Sequence, residues 1–197
     1  MRRITVILSL SMLLTMGYKS APDSSFTTDL EARGIEVYEF SKEDALEHYI
    51  QLAPHSVQVY FYTKRYCKEF GVPQEVAFGV AKLETRYLGP DMFHYKPNQI
   101  STANAYGSYQ ILLSTAKYVV KIYPEVFPGI TPGDITPDVL LNDVNLNSRI
   151  GIKYLNHLHI IYRSWIIACG FYNTGYPKIN EYARNAVRFY NLVRRNV

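Results

Sequence analysis

The chain has 197 residues, about one ordinary domain, and its 48% hydrophobic and 19% charged composition excludes an intrinsically disordered polymer. The formal net charge is +4; setting Arg2 and Arg3 aside leaves 19 basic against 17 acidic residues, a net +2, with the basic side chains scattered. That field is too mild to point to a nucleic-acid partner. The two cysteines and five histidines form no CxxC, no HExxH and no cluster, so no metal site is expected.

Met1-Arg2-Arg3 is followed by the apolar run "ITVILSLSMLLTMG", which is short for a membrane span and about right for the core of a signal peptide. Residues 1–21 are therefore read as an export signal, with an uncleaved N-terminal anchor as the alternative, and 22–40 as an irregular leader. No cysteine follows the run to carry a lipid. In an exported chain Cys67 and Cys169 are free to form a disulfide, and two buried thiols are the equal alternative.

The remaining residues, 41–197, read as one mostly α domain. Ser41 and Asp44 in "SKEDALEHYIQLA" form a capping pattern that opens a helix. Pro54 opens a second, which stops at Gly71. Pro73 opens a third, striped by Val76, Val80, Leu83 and Tyr87 and ended by Gly89-Pro90. A long irregular stretch follows, "GPDMFHYKPNQISTANAY", of the kind that borders binding sites. "SYQILLSTAKYVVKIYPEVF" is helical in one piece or two, and "PGITPGDITPDVL" is a second irregular segment. "NDVNLNSRIGIKYLNHLHIIYR" is a long amphipathic helix. The uniformly apolar "WIIACGFY" is expected to be the central buried one, and a last helix runs from about Ile179 to Val193. No strand pattern of useful length and no repeat is present.

Glu84 ends the third helix with no base three or four positions away, where a helical ion pair would form. Two other segments carry polar residues or glycine within apolar surroundings: "AYGSYQILLSTA", with Gly107 and Gln110, and "GFYNTG", with Tyr172 and Asn173. A buried tyrosine hydroxyl needs a partner, and the lone carboxyl of Glu84 is a suitable one for Tyr172. Tyr106 and Tyr109, beside the glycine, are candidate aromatic platforms for a ligand. Asp91, Asp134 and Asp143 sit where capping explains them.

Taken in order, Glu84-Thr85, Gly107-Ser108-Tyr109-Gln110, Asn145 with Gly151 and Tyr154-Leu155, and Tyr172-Asn173-Thr174-Gly175 resemble the soluble-type lytic transglycosylases, over about residues 70–190. The chain departs from that family's usual pattern in having Thr85 for Ser, Ser108-Tyr109 for Leu-Met, Phe171 for Ala, and a longer segment between the acid and the glycine. The resemblance implies a lysozyme-like helical domain with a substrate cleft between two lobes, working without metal or organic cofactor. It further implies cleavage of the β-1,4 bond between N-acetylmuramic acid and N-acetylglucosamine in peptidoglycan, with 1,6-anhydromuramoyl ends. Glu84 would be the single catalytic acid and base. Thr85, Gly107, Ser108, Tyr109, Gln110, Tyr172 and Asn173 would line or support the substrate. The protein would act outside the cytoplasm, in the periplasm or cell envelope, during bacterial wall remodelling, or on a virion if phage-encoded, with secretion-apparatus or virion components as further partners. Apart from the N-terminal anchor, no membrane partner is expected. A hydrolytic muramidase of the same fold and a non-catalytic glycan-binding component are the alternatives.

Overall fold

The computed structural model describes residues 5–8, 36–39, 42–188 and 190, with 5–8, 36–39 and 42–45 as backbone only. The chain divides into two compact units, Met1–Ala53 and Pro54–Val197. In the first, strand β1 (Thr5–Leu8) pairs in parallel with β2 (Glu36–Glu39), Thr5 opposite Glu36, and helix α1 (Lys42–Leu52) starts directly after Ser41. The rest of the expected signal and leader lies outside the described residues. No described helix is long and apolar enough to cross a membrane.

In the second unit, proline and glycine set the first helix as the sequence predicts. Helix α2 (His55–Phe70) follows Pro54 and is closed by Gly71, whose φ of +67° is the left-handed conformation that glycine adopts without strain. Helix α3 (Gln74–Thr85) follows Pro73 but stops before Gly89-Pro90, at Arg86 with φ +60°. The cause is Tyr87. Its ring is buried between Phe78 and Tyr95, and its hydroxyl donates to the Ser56 carbonyl at 2.7 Å, so the chain turns inward instead of continuing the helix. Glu84 thus sits in the last turn, and Leu83, expected on the apolar stripe, is exposed.

The long segment after α3 is held by aromatic packing. Tyr60, Phe78, Tyr87 and Tyr95 follow one another at ring separations of 5.6, 6.1 and 5.1 Å. It leads into a hairpin of β3 (Ala105–Tyr106) and β4 (Ile111–Leu112), with Ile100 bridging to Tyr106 on the outer side. Strands of two residues carry no readable alternation, which is why sequence patterning misses them.

Helix α4 (Leu113–Ile122) follows. Helix α5 (Pro137–Asn142) is capped by Thr136, and α6 (Val144–Tyr162) by Asp143, whose carboxylate accepts from the Leu146 amide at 2.8 Å. The centre of the unit is α6, not the uniformly apolar segment. It packs against α2, α4, α5 and α7 and buries Ile150, Ile152 and Leu155 completely, each contributing roughly 1.5–3 kcal/mol of transfer free energy. Helix α7 (Trp165–Thr174) buries only Ala168, Cys169 and Gly170. Helix α8 (Glu181–Ala186) covers part of the expected last helix, and 191–197 lie outside the described residues. Cys67 and Cys169 are free and buried, and burial pushes both thiols up to about 12.

Candidate active site

Glu84 is held by two neighbours that sequence reasoning did not supply. The first is Tyr182, on α8, whose hydroxyl donates to Glu84 Oε1 at 2.5 Å. The second is the packing that fixes α8 on α3. A Cβ at Gly79 would stand 2.1 Å from the Ala186 carbonyl oxygen, so only glycine lets the two helices approach this closely. Burial pushes the Glu84 carboxyl up from 4.5 to about 7, against the opposing pull of the Tyr182 hydrogen bond. Burial first, and then the Glu84 charge, drive the Tyr182 hydroxyl well above its ordinary value, so it stays a donor. Among the described residues no ion pair involves Glu84.

Tyr172, expected to hold Glu84, does something else. Its hydroxyl donates to the Tyr109 carbonyl at 2.7 Å, tying α7 to the glycine segment. Its pKa is raised by burial and then by the charge of Glu84, so it lies within electrostatic reach of the carboxyl without bonding to it.

The glycine segment is built by Asn147 of α6, which sequence reasoning also missed in favour of Asn145. Asn147 is buried; its amide donates to the carbonyls of Tyr106 (2.9 Å) and Leu140 (3.0 Å), and its oxygen accepts from the Tyr109 N–H (3.0 Å). Gly107, with φ +78°, is required here because a Cβ would lie 2.2 Å from that same side chain. The close approach that the glycine permits is therefore to Asn147. Tyr109 is completely buried, with its hydroxyl bonded to Thr63 at 2.8 Å and its Cβ seated where a side chain at Gly151 would stand. Its ring is core and offers no face to a sugar, which corrects the platform expectation. Asn145 accepts from the Tyr66 hydroxyl at the far end of the same helix turn.

Thr85 is buried at 3% exposure. Its hydroxyl meets Tyr95 at 2.7 Å and the carbonyls of Ala81 and Ser108 at 3.1 Å. It therefore clamps the residue after the acid to the glycine segment rather than facing outward. Ser108 is buried as well and contributes that carbonyl. Gln110 adopts φ +45°, closing a turn onto Gly107, and its side-chain amide donates to the Gln99 and Gly107 carbonyls at 2.9 Å each. Asn173 is exposed at the end of α7, where its oxygen accepts from Asn180 at 3.0 Å.

Of the expected site residues, Glu84 is thus bonded to Tyr182, Tyr172 to the Tyr109 carbonyl, Gln110 to the Gln99 and Gly107 carbonyls and Asn173 to Asn180, whereas Thr85, Gly107, Ser108 and Tyr109 form a buried frame. Asp134 and Asp143 are occupied in a turn and a cap, as expected. A concavity of about 660 Å3 opens on another face of α3, lined by Tyr60, Phe78, Lys82, Leu83 and Arg188 among others. Glu84 does not line it, and the chemistry of the site is read from the carboxyl and its partners.

A mostly helical unit that holds one carboxyl protonatable near neutrality, framed by a glycine turn and a tyrosine–asparagine helix end, has the outline of a glycan-strand-cleaving domain. The sequence matches the family model described as the transglycosylase SLT domain over residues 61–190, and the chain belongs to that family. The mostly α, lysozyme-like fold goes with that membership. Among solved structures, the chain is similar to the 70-kDa soluble lytic transglycosylase Slt70 from Escherichia coli and to a complex of the 70-kDa soluble lytic transglycosylase with bulgecin A. Each is 27% identical, with a TM-score of 0.48, over 64% of this chain and 18% of that one. The chain therefore spans less than a fifth of those proteins. Comparison with curated proteins gives no match.

Proposed function

We propose that the domain is a peptidoglycan lytic transglycosylase that uses Glu84 alone as acid and then base. The observation that carries this reading is the carboxyl raised to about 7 by burial, with a hydrogen bond from Tyr182 as its one partner among the described residues. A carboxyl with that affinity is substantially protonated at neutral pH and can deliver a proton to a leaving oxygen. Tyr182 occupies Oε1, so the proton to be delivered would be carried on Oε2. As the bond between C1 of N-acetylmuramic acid and O4 of N-acetylglucosamine breaks, the Glu84 proton goes to O4, assisted by the acetamido group of the muramoyl unit. The 6-hydroxyl of that unit then bonds to C1 and its proton returns to Glu84, giving a 1,6-anhydro end. No water is consumed and the acid is regenerated. Two-carboxylate hydrolysis needs a second acid placed to activate water or attack C1. Asp134 and Asp143 are engaged elsewhere, which favours the single-acid route.

Gln110 and Asn173 would hold sugar substituents and Tyr172 would shape the wall beside the acid, while Thr85, Gly107, Ser108 and Tyr109 act through the frame. Residues 1–21 would direct export to the cell envelope, for wall remodelling or, in a phage, for wall penetration. Mass spectrometry of digested peptidoglycan tests the reaction. Anhydro products, one water lighter than reducing ends, are expected. Ordinary reducing ends would make the protein a muramidase, and no products from intact walls would make it a binding component.

A further inference from the structure

The side-chain amide of Asn173 has a fixed polarity, and Asn180 fixes it. Asn180 is the N-cap of α8, its Oδ1 accepting from the Ala183 backbone N–H at 2.8 Å. A backbone N–H can only donate, so the acceptor end of Asn180 is assigned and its Nδ2 is the atom turned toward Asn173. That Nδ2 donates at 3.0 Å, so Asn173 must offer Oδ1 to it, and the Asn173 NH2 is left exposed with no partner among the described residues. The same logic applied to Gln110 gives the opposite result. Its Nε2 is held by two backbone carbonyls, which can only accept, so Oε1 is the end left over. Gln110 follows Tyr109 and Asn173 follows Tyr172, the two residues that a 2.7 Å hydrogen bond joins. Asn180 in turn lies two residues from Tyr182, which holds Glu84.

Resting on the glycan-cleaving reading, we infer that Asn180 is a specificity-determining residue: it locks Asn173 as a hydrogen-bond donor for a carbonyl or carboxylate oxygen on the sugar, that of an acetamido group or of a lactyl group. A free amide donor matches the carbonyl of an acetamido group, which carries one N–H and one C=O. Asn173 then contributes discrimination because its unlocked form could present either end, whereas the locked form leaves a donor unpaired when the sugar oxygen is missing.

The test is a double-mutant cycle on the full chain in the Glu84→Gln background, which binds without cutting. Asn180→Asp keeps the cap on one carboxylate oxygen and puts the other, an acceptor, in the place of Nδ2, so Asn173 must turn its NH2 inward and present its oxygen outward. Calorimetric titration with an alternating N-acetylglucosamine–N-acetylmuramic acid tetrasaccharide should show affinity falling about tenfold when Asn173 is present. It should fall less than about twofold in the Asn173→Ala background, where only the added charge acts. An N-acetylglucosamine tetramer titrated alongside separates the sources: coupling with both ligands assigns the acetamido carbonyl, and coupling with the muramoyl ligand alone assigns the lactyl group. Equal losses in both backgrounds, or none, overturn the inference. If the Glu84→Gln parent binds neither oligosaccharide, the glycan reading itself falls and the inference with it. Asn180→Ser, which keeps a neutral cap and releases Asn173, should give a smaller loss that also disappears in Asn173→Ala; it serves if Asn180→Asp melts early.

Discussion

The Tyr182 hydroxyl reaches Glu84 across 98 residues of sequence, and the 2.5 Å hydrogen bond opposes the burial that raises the carboxyl. Removing it should therefore move the acid in a defined direction. In Tyr182→Phe the carboxylate loses its stabilising donor and its pKa rises further above about 7. The alkaline limb of the activity–pH profile, where the acid is lost, should move to higher pH. The rate at neutrality should fall roughly tenfold, because the carboxyl is no longer aimed. A profile that stays in place, or moves to lower pH, would contradict this role for Tyr182.

Glu84 also links stability to pH. Its folded pKa of about 7 lies above the 4.5 of the unsequestered group, so between these values the folded state binds more protons than the unfolded one. This contribution is fully present below about pH 4.5 and is lost as pH rises through about 7. Glu84→Gln removes the cost of the buried charge, so it should be inactive yet more stable than the parent at pH 8, by roughly 1–3 kcal/mol, with little difference near pH 4. Thermal melts of both proteins at the two pH values check it.

Asn147→Ala should destabilise the unit by about 2–4 kcal/mol, since it strands two carbonyls and one N–H in a buried turn and opens a cavity beside Gly107. Chemical denaturation gives the value. Gly107→Ala, strained by its φ of +78° and by the contact with Asn147, should lose a similar amount.

Gly79→Ala tests the seating of α8. The added methyl meets the Ala186 carbonyl, so the helices must separate, at about 1–3 kcal/mol. Activity should drop along with stability, and addition of Tyr182→Phe should then cost less than it does in the parent, because the same contact is already broken.

Neither cysteine should react while the protein is folded. Both thiols are buried and raised to about 12, so a thiol reagent at pH 8 should label them only after denaturant is added, and the mass should not change with reductant.

The helical frame was legible because proline, glycine and capping residues mark it locally: Pro54, Gly71 and Asp143 act where the sequence places them. Glu84 was legible for a different reason, the absence of a base at helical spacing. What was not legible depends on partners distant in sequence. Tyr182 looks like any residue of an amphipathic helix until α8 docks on α3, and Asn147 looks like a polar break in an apolar helix until the glycine turn closes over it. Tyr109 misled because a tyrosine beside a glycine turn suggests a surface, whereas Gly151 opens a slot for its ring in the core. The end of α3 was placed late because Gly89-Pro90 is a strong breaker, and the earlier stop comes from the burial of Tyr87.

The seating of Ala186 against Gly79 gives the protein an order of assembly. Residues that frame the carboxyl emerge early from the ribosome, and the helix that covers it is among the last described. Until that helix docks, Glu84 lacks the hydrogen bond from Tyr182. A chain interrupted before residue 181 would lack Tyr182, and with it the hydrogen bond that Glu84 accepts across 98 residues of sequence.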